Sequence, residues 1–328
     1  MASTVNALRL SIVIPVYRGE KSIDPLVNLL IDTLQSQYAL EIVLVNDCSP
    51  DDSESVCLGL YKKHPDIVKF YSLAKNMGEH NAVMAGLTKS SGDWVVIMDD
   101  DFQNPVSEVV KVVSFASEHS YDVVYTEYKE KRHSLLRNIG SRLNDKIANV
   151  MLKKPKHLYL SSFKAINRFL VNEIIKYTLP HIYLDGLILR TTSNIGKCAV
   201  EHHERPHGSS GYTLKKLFSL WLNMFTHFSI LPLRIATWLG FVFAAIGMTL
   251  GVEMIFEKIL NPQLPVGYAF LVFLITVFAS AQLVAVGMVG EYLGRIFVYE
   301  NKAPQFTIRK SYDGTSRLPE DSENGIKR

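Results

Sequence analysis

Three consecutive aspartates, Asp99, Asp100 and Asp101, end the apolar run "VVIM" and are followed by Phe102, Gln103, Asn104 and Pro105. Asp and Asn suit a solvated turn and Pro105 suits the first turn of a helix, so a plain loop is one reading. Adjacent carboxylates repel one another, however, and at the edge of a core the repulsion costs more than in open water. A divalent cation reverses the sign of that problem. Mg²⁺ and Mn²⁺ take carboxylate oxygens, and Mg²⁺ is typically held by one or two of them together with substrate phosphates. In extended chain, alternate residues share a face, which groups Asp99, Asp101 and Gln103 as a half-shell of ligands and turns Asp100 away.

Something must place that stretch at an edge. Apolar, β-branched runs at 8–17, 41–47, 67–73, 93–99 and 121–128 read as strands. Helix-compatible segments at about 24–36, 51–63, 79–90 and 105–119 lie between them. A repeating strand–helix order implies an α/β fold with a mostly parallel sheet covered on both faces. Ligands of such sheets bind outside the carboxyl ends of the strands. Here the first, second and fourth strands end in "PVYRGE", "VNDCSPDD" and "MDDDFQNP", so the concentrated polar chemistry falls on one rim. No G-x-G-x-x-G follows the first strand and no G-x-x-x-x-G-K-[ST] occurs, which argues against dinucleotide and P-loop chemistry.

The 328 residues are 48% hydrophobic, with a formal charge of +3 that is too small to argue for nucleic acid as a partner. Cys48, Cys57 and Cys198 fit no metal or disulfide spacing. The apolar excess sits late. Residues 235–256 carry one charge, Glu253, and residues 266–290 carry none; each is long enough to cross a hydrocarbon core of about 30 Å. A short connector makes them a transmembrane hairpin. Lys215, Lys216 and Arg234 precede it and Arg295, Lys302, Arg309 and Lys310 follow it, against Lys258 alone in the connector. The positive-inside rule then puts the N-terminal domain on the cytoplasmic side of the cell (inner) membrane, as a multi-pass protein. The expected organisation is a cytosolic domain over 1–212, a juxtamembrane amphipathic segment over 213–234, two spans within 235–290 and a cytosolic tail over 291–328.

A carboxylate rim able to bind metal, basic residues downstream and a membrane hairpin point together to glycosyl transfer from a nucleotide-sugar donor to a phosphorylated lipid. The chain resembles the polyprenyl-phosphate glycosyltransferases of glycosyltransferase family 2. It is similar to bactoprenyl-phosphate glucosyltransferases and, more distantly, to dolichyl-phosphate mannose synthases. The resemblance runs from "SIVIPVYRGE" through "VNDCSPDDS", "NMGEHNAVMAGL" and "MDDDFQNP" to "VGEYLGRIFVYENKAP". It implies a GT-A fold, Rossmann-like, with juxtamembrane helices and the two-helix hairpin. It also implies a UDP-hexose donor, UDP-glucose first, an undecaprenyl phosphate acceptor, and assembly as a homo-oligomer.

By the same resemblance Pro15, Tyr17 and Glu20 would line the nucleotide pocket, Asp47 would contact the base and Lys75 would lie nearby. Asp99, Asp101 and Gln103 would hold Mg²⁺ or Mn²⁺ and through it the diphosphate, with Asp100 orienting sugar hydroxyls. Arg137, Arg142, Lys164, Arg205 and Ser210 would meet the acceptor phosphate. The chain departs from the family pattern in three places. Arg18–Gly19 replaces Asn-Glu, Ser161, Ser162 and Lys164 stand where relatives carry acids, and Gly211 stands where a basic residue is common. GDP-mannose or a UDP-aminosugar as donor, a processive polysaccharide synthase, and an inactive membrane-bound module are the competing readings.

Overall fold

The structure, a computed structural model, describes residues 8–128, 158–179, 182–201, 231–261, 267–300 and 304–314. The chain divides into one unit of Met1–Gly211 with Pro304–Arg328 and a second of Tyr212–Ala303.

The first unit follows the expected alternation: β1 (Arg9–Val16), α1 (Ile23–Leu34), β2 (Ala39–Asn46), α2 (Ser53–Lys63), β3 (Val68–Leu73), α3 (Glu79–Lys89), β4 (Trp94–Ile97), α4 (Val106–Glu118) and β5 (Val123–Tyr128). After these come β6 (Lys164–Asn167), α5 (Arg168–Ile174), α6 (Leu184–Thr191), β7 (Ile195–Val200) and, from the far end of the chain, β8 (Ile308–Tyr312). The eight strands form one sheet in the order β7-β5-β6-β4-β1-β2-β3-β8, with β6 and β8 running against the rest.

Strand alternation feeds two cores. Leu10, Ile12, Ile14 and Val16 of β1 pack with α1, α2 and α4, while Val13 faces the opposite way, toward α3, α5 and α6. A three-layer α/β/α sandwich results, with both faces of the sheet covered. Its topology sets the site. β1 lies between β2 and β4, so successive strands run outward from β1 to β3 and the chain then crosses to the other side of β1. That reversal creates a crevice between the carboxyl ends of β1 and β4, the place where open α/β sheets bind ligands.

The second unit contains α7 (Leu231–Leu260) and α8 (Tyr268–Glu300). At about 1.5 Å per residue both exceed a bilayer core of about 30 Å in length. They pack on each other through Phe243 and Phe278, whose ring centroids lie 6.3 Å apart, beside Gly247. Elsewhere they expose large apolar side chains, among them Trp238, Phe241, Ile275 and Leu283. Val277–Gly294 is long and apolar enough to cross a membrane, and a shorter apolar stretch covers Thr237–Glu253. The expected juxtamembrane segment at 213–234 falls almost wholly outside the described residues.

Candidate functional site

Three rim loops meet at the crevice, and each holds a non-glycine residue in the left-handed region. These are Arg18 (φ 61°) after β1, Cys48 (φ 51°) after β2 and Phe102 (φ 59°) after β4. For a bulky residue such a backbone is costly and persists only where surroundings impose it, a pattern concentrated at functional sites. At Phe102 the imposing contact is its ring, packed against the α1/α2/α4 core.

The loop after β1 is laid on the loop after β2 by backbone donors. Arg18 N–H donates to Ser49 Oγ at 2.7 Å, Gly19 N–H to Ser53 Oγ at 2.9 Å and Glu20 N–H to Asp51 Oδ2 at 3.2 Å. In return Asp52 N–H donates to Glu20 Oε2 at 3.3 Å. Burial pushes Asp51 up, but hydrogen bonds from Ser49 and Ser53 outweigh it and hold the carboxyl below its ordinary value. Asp51 thus stays ionised as the knot of this loop pair. Tyr17 is 46% exposed on the rim with the Arg18 guanidinium 5.6 Å from its ring centroid, and Pro15 is half-buried within β1.

Asp47, expected at the base, is 3% exposed. Its two oxygens accept Met77 N–H at 2.7 Å and Gly78 N–H at 2.9 Å, organising the loop after β3. Burial pushes Asp47 up, against those two amides. Gly78 has φ 87° and ψ 156°, a conformation essentially reserved for glycine, and so lets the chain turn into α3 while its N–H faces Asp47. Lys75 is exposed beside it.

The carboxylates themselves have distinct surroundings. Asp101 Oδ1 accepts Gln103 N–H at 3.1 Å, and Asp99 Oδ2 accepts the Ser162 hydroxyl at 2.7 Å. Asp100 turns back against the β1 loop, where Ser22 Oγ donates to it at 3.4 Å. A Cβ at Gly19 would collide with its Oδ2, so the glycine fits Asp100 in this position. Burial first, then Asp99 and Asp101, push Asp100 up to about 7. Two carboxylates and an amide oxygen within five residues are hard oxygen donors, which fits Mg²⁺ or Mn²⁺. Among the described residues no three His, Cys, Asp or Glu side chains form a metal cage, so a cation here would complete its shell from substrate and water.

Behind Asp99 lies a buried polar cluster that the sequence pattern does not announce. Lys164, expected on the acceptor phosphate, is 3% exposed and forms a buried ion pair with Asp185. Tyr125 donates its hydroxyl to the same Asp185 oxygen at 2.8 Å, and its ring centroid is 4.9 Å from the Lys164 ammonium. Burial, then Asp185, push the Tyr125 phenol well up, so it remains a donor. His80, edge-on to Tyr183 with centroids 5.5 Å apart, is pushed down by burial. A lone acid in the apolar helix "YLDGLIL" is the available clue to Asp185. Arg137, Arg142, Arg205 and Ser210 lie outside the described residues.

Known proteins share both the sequence and the fold. Residues 11–175 match the family model described as glycosyl transferase family 2. The chain is 32% identical over 319 residues to the undecaprenyl-phosphate 4-deoxy-4-formamido-L-arabinose transferase of Yersinia enterocolitica, spanning 94% of this chain and 95% of that one. The protein of the same name from Enterobacter sp. strain 638 is 30% identical over 307 residues, spanning 92% and 93%. Among solved structures, glucosyl-3-phosphoglycerate synthase from Mycobacterium tuberculosis, in complex with Mn²⁺, UDP-glucose and phosphoglyceric acid, superposes with a TM-score of 0.51 at 17% identity. The match covers 67% of this chain and 78% of that one and speaks to the fold.

Proposed function

The chain belongs to glycosyl transferase family 2, and from that premise we propose that it moves a sugar from a nucleoside-diphosphate sugar to undecaprenyl phosphate at the cytoplasmic face of a membrane. The observation that carries this reading is the switch point between β1 and β4, beside which the bent loop after β4 carries Asp99, Asp101 and Gln103 while Asp100 lies against Gly19. The relatives' names, undecaprenyl-phosphate transferases, support the acceptor.

The chemistry asks little of a base. A lipid phosphate is already anionic at neutral pH, so one of its oxygens attacks the anomeric carbon as the bond from that carbon to the nucleotide diphosphate breaks. One in-line displacement inverts the anomeric centre. The protein's work is positioning and stabilising the leaving group. Mg²⁺ or Mn²⁺ held by Asp99, Asp101 and Gln103 would supply Lewis-acid charge to the departing diphosphate. Ser162 fixes the Asp99 carboxylate, and the loop knot on Asp51 fixes Tyr17 and Glu20 at the nucleotide side. Lys75 completes that side, with Asp47 acting through the loop whose amides it holds. Asp100, expected to orient sugar hydroxyls, instead lies against Gly19 and Ser22, and Arg137, Arg142, Arg205 and Ser210 would receive the acceptor phosphate.

Two spans fit this chain better than one. β7 ends at Val200 and β8 begins at Ile308, yet both belong to one sheet. A chain that enters a membrane after β7 must therefore come back before β8, which α7 and α8 accomplish as a hairpin.

The donor is UDP-glucose or another UDP-hexose in the first reading. The names of the relatives favour a second, a nucleotide-linked 4-deoxy-4-formamido-L-arabinose. A panel of UDP- and GDP-linked sugars, offered with undecaprenyl phosphate and Mg²⁺ or Mn²⁺ to detergent-purified protein, separates them. One donor yielding glycolipid of inverted anomeric configuration is the expected result. Retention of configuration would overturn the single displacement, and absence of transfer from every donor would overturn the reaction.

A further inference from the structure

The chain following α8 returns to the first unit as β8, and its first residues reach the donor end of the rim. β8 runs antiparallel to β3, so it begins where β3 ends. There the Thr307 carbonyl accepts Ala74 N–H at 2.8 Å and Arg309 Nη2 donates to the Ala74 carbonyl at 3.2 Å. The loop 74–78 is thus gripped from two sides. On the other side Asp47 takes the N–H groups of Met77 and Gly78, and its carbonyl accepts Asn76 Nδ2 at 3.3 Å.

The strand register gives a second, independent observation. Leu73 opposes Ile308 and the adjacent Ser72 opposes Lys310, which leaves Arg309 as one residue too many. That is a β-bulge, a feature that re-aims side chains at sheet edges and beside active sites. Its effect is visible in the packing. Phe306 and Ile308 join the core on the α3 face, whereas Tyr312 stacks on Phe70 in the opposite core, centroids 5.6 Å apart. Lys310 reaches Glu54 of α2 at 2.7 Å. Strict alternation would have kept residues 306, 308, 310 and 312 on one face. The extra residue is the one whose guanidinium holds the rim loop.

We infer that β8 is a working part of the donor site and that Arg309 is a positioning residue, acting through Ala74 to set the 74–78 loop for a nucleoside diphosphate. The inference rests on the reading that Asp47 and Lys75 lie in the nucleotide pocket. A guanidinium is permanently charged, so its hydrogen bond to a carbonyl is charge-assisted. A short loop pinned at both ends has already lost the freedom that binding would otherwise have to remove.

The test uses the full chain in detergent, as wild type, Arg309→Ala and Arg309→Lys. UDP and GDP are titrated calorimetrically with Mg²⁺, and hydrogen exchange of the 75–78 amides is followed without nucleotide. Arg309→Ala is expected to speed exchange at 75–78 and to weaken nucleotide binding roughly three- to tenfold, the net scale of one solvent-exposed hydrogen bond. Donor KM rises with kcat retained, and Arg309→Lys recovers part of the loss. Unchanged exchange and unchanged affinity in folded Arg309→Ala overturn the inference and leave the donor reading standing. Failure of the wild type to bind either nucleotide overturns the donor reading and the inference with it. Should Arg309→Ala not fold, Arg309→Gln is measured in its place, and the same results support or overturn the inference.

Discussion

The Lys164 ammonium and the Asp185 carboxylate neutralise each other inside the sandwich, 21 residues apart in sequence and with Tyr125 on the same oxygen. Removing one partner strands the other charge in low dielectric. Asp185→Ala is therefore expected to cost about 3–5 kcal/mol of stability. The double variant Lys164→Met/Asp185→Leu, which buries no charge, should recover most of that in thermal denaturation. If Asp185→Ala unfolds at the wild-type temperature, the pair is not buried as described. At this scale the carboxylate stretch was legible because three like charges at a strand end need an explanation wherever they occur. Lys164 was not. A lysine in "SSFKAIN" reads as a surface cation until β6 is known to run between β4 and β5, which carries its side chain inward.

Loops between elements carry the site, and their restraints make its parts separable. Gly78 begins α3 in a conformation essentially closed to side chains, so Gly78→Ala should cost about 1–3 kcal/mol and lower donor affinity through the displaced Asp47 contacts. A variant with wild-type stability would contradict the geometry. At the sheet edge, the Lys310 hydrogen bond, helped against burial by Ser72, holds Glu54 below its ordinary value of 4.5. A depressed carboxylate contributes stability that is full above about 4.5 and is lost as pH falls through its folded value. The stability difference between wild type and Lys310→Ala should accordingly be present at neutral pH and vanish in acid. A difference that persists in strong acid, with Glu54 protonated, would mean Lys310 acts through packing instead. The first five strands and four helices were legible from alternation and caps. β8 was not, because its pairing partner lies some 235 residues away and "IRKSY" carries two charges that read as tail.

At the scale of the molecule, the described strands before and after the apolar unit in sequence, β1 to β7 and β8, belong to one sheet. The apolar runs and their flanking charges were readable directly; that the tail closes the sheet was not, because sequence patterns carry no record of long-range pairing. The sheet's continuity has a topological consequence that single-cysteine labelling can measure in intact cells, after Cys48→Ser removes the exposed native thiol. Asn261→Cys, between α7 and α8, should react with an impermeant reagent applied outside. Asp313→Cys and Asp66→Cys should react only after the membrane is opened. Labelling of Asn261→Cys and Asp313→Cys from the same side would contradict the hairpin.

In the proposed reaction the carboxylates following β4 hold a cation-bound sugar nucleotide for transfer to undecaprenyl phosphate. The most direct test is the rate of glycolipid formation by wild type and Asp101→Ala, each with Mg²⁺ and with EDTA, at matched thermal stability. Metal-dependent transfer is expected in the wild type, and a loss of about a hundredfold or more in Asp101→Ala, the scale of removing a principal transition-state charge stabiliser. A folded Asp101→Ala that transfers sugar at the wild-type rate would contradict it.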